Sequence, residues 1–176
     1  MTHILLPDAA SAPPLVRLPA FLTDSRPARR LQDPALALAR AADLAGLAGV
    51  VVPLDPEGPE ALVTAAALLR ATRHVEVVAS FPTDIATPQY VAKLSASLQR
   101  FSGGRLGWLI PADDPGRAQF LAAARRFWHS PEGLKPPLSE TAFPVVYNGS
   151  EPFVSVGYEP GEVFALASKE VYANVR

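Results

Sequence analysis

The stretch TPQYVAKLSASLQRFSGGRLGWLI, residues 87–110, contains a complete structural sentence. Thr87-Pro88 combines an N-cap hydroxyl with a proline at the first helical position, where its missing N–H costs nothing. Val91, Leu94, Leu98 and Phe101 then recur at helical spacing, and Gly103-Gly104 supplies a left-handed stop. Arg105 to Ile110 follows at once as a predicted strand. A helix that stops and feeds directly into an apolar strand is the second half of a βαβ unit.

The same grammar extends outward in both directions. Asp33-Pro34 opens a predicted helix over 34–45 that ends at Gly46, and Gly49-Val50-Val51-Val52-Pro53 is a β-branched run suited to a strand buried on both faces. A proline- and acid-rich loop, Asp55 to Pro59, leads into a helix from Glu60-Ala61-Leu62 to about Thr72, and Val75-Glu76-Val77-Val78-Ala79 is the next strand. Asp114-Pro115 reads as the cap of a further helix carrying Phe120, Leu121, Ala124, Phe127 and Trp128 on one face. Phe143 to Tyr147 reads as a fourth strand. One or two further strands, at Phe153 to Gly157 and Glu162 to Ala167, are expected within residues 153–176.

Strands alternating with helices through short loops imply a parallel sheet. A doubly wound sheet usually carries a glycine-rich phosphate turn after its first strand, and neither that turn nor a Walker-type loop is present. The expected fold is therefore α/β, a parallel (β/α) barrel of the TIM type in shortened or incomplete form. A full barrel takes about 250 residues, whereas 176 residues, 49% of them hydrophobic, leave room for about five or six strand-helix units. One domain spanning residues 1–176 is expected.

Charge and composition exclude several function classes. The formal net charge of −1 provides no basic field for a nucleic-acid backbone or an anionic bilayer. No run approaches the ~20 apolar residues of a membrane span, so a cytoplasmic protein is expected. Cysteine is absent, which removes thiolate ligands and cysteine nucleophiles.

The helix-stop-strand stretch, with VAKLSASLQRFSGGRL at its centre and ADLAGLAGVVVP at residues 42–53 before it, resembles the bacterial-luciferase-like flavin monooxygenases, closest to their alkanesulfonate branch. The similarity runs from about Ala35 to Trp108, weakens through FLAAARRFWHS, and returns at FPVVYNGSEP, residues 143–152. The resemblance implies a (β/α) barrel that uses FMN and oxygen to monooxygenate a small organic substrate of alkanesulfonate-like class, with a flavin reductase as partner. It also marks departures. The branch has an active-site cysteine in the loop after the first clear strand, where Gly58 stands here. The histidine, arginine and tyrosine side chains of the family's C-terminal part have no counterparts. A shortened, non-catalytic relative serving as a flavin- or ligand-binding module or assembly subunit is the alternative.

Sites in such folds lie beyond the C-terminal ends of the strands. Asp55, Ser80, Phe81, Thr83, Asp84, Asp113, Asp114, Asn148, Gly149, Ser150 and Glu151 are expected there, whereas His74 and His129 belong to the opposite end. This rim is acidic, which opposes a phosphate unless Arg17, Arg26, Arg29, Arg30 or Arg117 folds over it. Ser80, Thr83, Asn148, Gly149 and Ser150 are the candidate cofactor-binding residues. Asn148-Gly149-Ser150 is the strongest of them, since a glycine turn after a strand offers amides and a hydroxyl without negative charge; a plain turn is the competing reading. Adjacent Asp113 and Asp114 diverge on a strand and have no histidine beside them, so no metal is expected. An incomplete barrel leaves sheet edges and apolar surface to cover. A homodimer or larger homo-oligomer is expected to cover them, with Leu166, Val171, Tyr172 and Val175 as the contact.

Overall fold

The computed structural model describes residues 4–5, 15–17, 34–150, 154–156 and 159–173. Its elements in chain order are β1 (Ile4–Leu5), β2 (Leu15–Arg17), α1 (Pro34–Leu44), β3 (Gly49–Val52), α2 (Ala61–Ala71), β4 (Glu76–Ser80), α3 (Pro88–Ser102), β5 (Leu106–Leu109), α4 (Arg117–His129), β6 (Val145–Tyr147), β7 (Val154–Ser155) and α5 (Pro160–Ala173). A 3₁₀ turn at Glu140–Ala142 precedes β6. The sheet runs β1-β2-β3-β4-β5-β6, with β7 also paired to β2. Only β1 is antiparallel to its neighbour. This is the expected α/β fold of TIM-barrel type in shortened form.

The 87–110 stretch owes its compactness to side chains that bind the helix to its own strand. Thr87 accepts from the Tyr90 amide at 3.3 Å, and Gly103 ends α3 with φ 69°. Gln99 then meets Leu106 with both ends of its amide: Oε1 accepts from the Leu106 N–H at 2.9 Å and Nε2 donates to the Leu106 carbonyl at 3.2 Å. Trp108 Nε1 donates to Ser95 Oγ at 3.0 Å. The last inward positions of α3 are therefore the polar Gln99 and Ser102, both buried, while Phe101, expected on the apolar face, is 78% exposed. Backbone groups of the strand entry need partners there more than the core needs another ring.

Arg105 completes the arrangement. Its guanidinium donates to the carbonyls of Ser102, Val75, Leu69 and Thr72 and to Thr72 Oγ1, at 2.9–3.1 Å. These contacts occupy all five N–H donors of the group, and they satisfy carbonyls at the end of α2 that the helix leaves open. Asp43 does the complementary work with amides, accepting from Arg73, His74 and Val75 at 2.7–2.9 Å. Burial pushes the Asp43 carboxyl up, but those three amides and His74 together hold it below its ordinary value.

Alternation along the strands separates two faces. Val50, Val52, Val77, Ala79, Leu106, Trp108 and Ile110 pack with the helices in the main core. Within it Trp108 meets Phe81 and Phe143 edge-on at 5.7 and 5.1 Å, and Trp128 meets Phe143 at 5.2 Å. Val51, Val78 and Leu109 form a separate cluster on the opposite face, flanked by Ala48 and Tyr147.

Two expected elements differ. Glu162 to Ala167 lies inside α5, because Val163 is buried and Leu166 and Ala167 pack against the same core at helical spacing. Helix α4 begins at Arg117 with Gly116 at its cap; the Asp114 carboxylate accepts from the Gly116 amide and is shared with Thr83. The expected cap at Asp33 lies outside the described residues.

Replacing Arg105 with alanine leaves several carbonyls without donors and is expected to cost about 2–4 kcal/mol. Lysine, with a single compact charge in place of the planar fork, restores less than half of that loss. Denaturant unfolding of the two variants checks this; near-wild-type stability of Arg105→Ala would contradict it.

Candidate functional site

The C-terminal ends of β4, β5 and β6 lie side by side because the three strands are parallel neighbours. The loops after them are tied across the sheet by backbone bonds: Phe81 N–H to the Leu109 carbonyl, Ile110 N–H to that of Tyr147, and Ala112 N–H to that of Asn148. Ser80, Thr83, Asn148, Gly149 and Ser150 are thus carried by one end of the sheet. Ser80 is the last residue of β4 and only 3% exposed. Phe81 has a packing role: its ring is fully buried between Trp108 and Phe120.

Thr83 and Asp114 clasp two loops together. The carboxylate accepts from the Thr83 amide at 2.9 Å and from its hydroxyl at 2.6 Å, and from the Gly116 amide at 2.8 Å. The Thr83 hydroxyl and amide, and the amides of Gly116 and Arg117, hold the Asp114 carboxyl below its ordinary value against the opposing effect of burial. Gly116 makes the clasp possible, since a Cβ there would lie 2.3 Å from Thr83 Oγ1. Both Thr83 donors are therefore directed at a carboxylate. Arg117 Nε donates to the Ile110 carbonyl at 3.2 Å, which places its stem against the same loops.

The turn after β6 has a different character. Gly149 adopts φ 89°. Ser150 directs both its amide and its hydroxyl to Asn148 Oδ1, at 2.9 and 2.6 Å. Two donors of this exposed turn thus close on one neutral oxygen of the same turn. Glu151 lies outside the described residues, as do Arg26, Arg29 and Arg30, and the Arg17 side chain is not described.

The loop after β3 is folded on itself. Asp55 Oδ1 accepts from Glu57 N–H at 3.0 Å, and a Cβ on Gly58 would lie 2.6 Å from Asp55 Oδ2. A cysteine in place of Gly58 would have to displace that carboxylate. Glu60 caps α2 by accepting from Val63 N–H at 3.0 Å. His74 and His129 keep to the other end, with the His74 amide on Asp43 and His129 Nε2 at 3.6 Å from Glu140 Oε2.

Glu76, Tyr147 and Gly107 were not singled out by the sequence as a group. Tyr147 donates its phenol to Glu76 Oε2 at 2.7 Å. Two signals pointed there: a carboxylate inside a β-branched strand, and a glycine inside an apolar one.

The model of the family described as luciferase-like monooxygenase matches residues 19–119, and the chain belongs to that family. Among solved structures, EDTA monooxygenase (EmoA) from Chelativorans sp. BNC1 is 22% identical with TM-score 0.50, over 70% of this chain and 39% of that one. Apo-MsnO8 is 16% identical with TM-score 0.51, over 68% of this chain and 41% of that one. The monooxygenase RslO1 from Streptomyces bottropensis is 25% identical with TM-score 0.48, over 68% of this chain and 45% of that one. The chain spans less than half the length of each of these. Among the described residues no helix is long and apolar enough to cross a membrane.

The depressed Asp114 carboxyl gives a pH prediction with a definite sign. A carboxyl lowered in the folded state contributes stability above its unfolded pKa and loses it as pH falls through the folded value. Asp114→Asn should therefore lose less stability than the wild type between about pH 7 and about pH 3. Paired urea titrations at the two pH values test this, and equal acid losses would remove the clasp from the account.

Proposed function

We propose that the chain is a flavin-binding, luciferase-like unit that takes FMN at the C-terminal ends of β4, β5 and β6, in a monooxygenase acting on a small organic substrate of alkanesulfonate-like class. The observation that carries this reading is the turn at 148–150, where Ser150 N–H and Oγ–H converge on a single neutral oxygen. In the proposed complex a phosphate oxygen replaces Asn148 Oδ1 as their acceptor. The remaining candidates, Ser80 and Thr83, lie at the same end of the sheet, with Thr83 held by Asp114. Reduced FMN supplies the electrons for oxygen activation in such enzymes, and a separate flavin reductase is the proposed source of the reduced form. Family membership supports the flavin.

The test is FMN titration by fluorescence with wild type and Ser150→Asp. The variant places a carboxylate against the phosphate and should weaken binding by more than about tenfold. Unchanged affinity would exclude the turn from the site.

A second reading is favoured by one observation: Gly58 stands in the self-closed loop after β3, where a side chain would meet the Asp55 carboxylate. In this reading the chain, as a single domain of cytoplasmic location, binds ligand without turnover, and a homodimer or larger assembly covers the open side of the sheet. Leu166 is partly buried against the core, so the contact would draw more on exposed Phe164 of α5 and Val145 of β6. The side chains of Val171 and Tyr172 are not described, and Val175 is outside the described residues. Robust turnover of an alkanesulfonate by the chain with reduced FMN and oxygen would reject the non-catalytic reading. A stable monomer at micromolar concentration by sedimentation would reject the assembly.

A further inference from the structure

On the face of the sheet turned away from the helices, the register aligns Gly49 of β3 with Glu76 of β4, Val78 with Gly107 of β5, and Leu109 with Tyr147 of β6. The floor is apolar, formed by Val51, Val78 and Leu109. Across it runs a polar contact, the 2.7 Å bond from the Tyr147 phenol to Glu76 Oε2. It connects β4 to β6 and passes over β5 at its one bare position. A Cβ on Gly107 would lie 2.5 Å from Glu76 Oε1, 3.0 Å from Val78 Cγ2 and 3.2 Å from Tyr147 Cε2. Glycine weakens a strand interior, and a half-buried carboxyl beside a half-buried phenol is a costlier filling than two apolar side chains. Three residues thus depart together from what stability alone favours.

Their shared consequence is the position of Tyr147. Its carbonyl receives the Ile110 amide, and the next residue, Asn148, receives Ala112 N–H on its carbonyl and both Ser150 donors on its side chain. We propose that Glu76 and Tyr147 are positioning residues, a strut across β5 that fixes the end of β6 and with it the donor geometry of the Asn148-Gly149-Ser150 turn. The role in ligand binding rests on the proposed phosphate site, but the mechanical link from Glu76 to the turn does not.

The strut contains a titratable group. Burial pushes the Glu76 carboxyl up, and the Tyr147 hydrogen bond only partly opposes that. Among the described residues, Glu76 is faced by Gly49 from β3, Gly107 from β5, Val78 on its own strand and Tyr147 from β6. Tyr147 alone among these can titrate. A change in the Glu76 charge should therefore be transmitted along β6 to the turn.

The experiment follows the Gly149 and Ser150 amide resonances by two-dimensional NMR on the ligand-free chain, from about pH 4 to about pH 9. In the wild type both amides should shift with one midpoint above the ordinary glutamate value. Glu76→Gln keeps an acceptor for the phenol and should abolish that shift while leaving the fold intact. Tyr147→Phe should leave the Glu76 carboxyl titrating, read from its own carbon resonance, while the turn amides no longer follow it. A turn titration that persists in Glu76→Gln, or that survives unchanged in Tyr147→Phe, overturns the strut. FMN affinity separates the two proposals: with the phosphate site correct, Tyr147→Phe weakens FMN by about fivefold, the loss of one hydrogen bond. A wild type that ignores FMN but shows the coupled titration rejects the phosphate site and retains the strut.

Discussion

The structure depends on a single guanidinium. Arg105 stands where α3 has stopped and β5 begins, and its five N–H groups close the carbonyls of Leu69, Thr72, Val75 and Ser102 together with the Thr72 hydroxyl. Two successive strand-helix units are joined at this point, because the end of α2, the entry to β4 and the entry to β5 all converge on one planar fork. Asp43 holds the opposite set of groups, the amides of the same connection. Burial disfavours the charged form of Arg105, and the charge of Asp43 opposes that effect. A residue limited to one compact charge cannot satisfy this geometry.

The glycines and the arginine of the SGGRL segment therefore build the fold at the end of the sheet opposite the candidate site. They lie inside the stretch that matches the family, residues 19–119, without saying what is bound. The site-bearing loops follow another rule. Their donors already close on oxygens of the same chain, Thr83 on the charged Asp114 and Ser150 on the neutral Asn148. That difference in charge separates them chemically: a phosphate can replace a neutral amide oxygen at little electrostatic cost, while replacing a carboxylate requires expelling a charge held by several bonds.

Much of the fold was legible because it is written in short-range terms. Thr87 and Gly103 mark the ends of α3 through groups within a few residues of themselves, and β3 is buried throughout as its β-branched run implies. Failures arise where a residue serves a distant partner. Phe101 has the right spacing for burial, yet Gln99 and Ser102 take the inward positions to serve β5 and Arg105. Asp114 precedes a proline and resembles a cap, yet its carboxylate reaches back 31 residues to Thr83. Glu162 to Ala167 reads as a short strand, but the face that Val163, Leu166 and Ala167 present to the core is helical. Of the site, the end of the sheet was legible from topology. The Glu76–Tyr147 bond was not, since its partners are 71 residues apart and only the register brings them across Gly107.

The central claim is a division of labour: a rigid signature stretch at one end of the sheet and separately adjustable donor loops at the other. Native-state hydrogen exchange reads this division directly. The amides of Val77 and Leu106, bound to the Arg105 carbonyl and to Gln99 Oε1, should exchange only through global unfolding. Those of Thr83, Gly116 and Ser150 should exchange by local opening, at least about a hundredfold faster. Uniform protection of both sets would contradict the account, because the loops would then belong to the same cooperative unit as the signature.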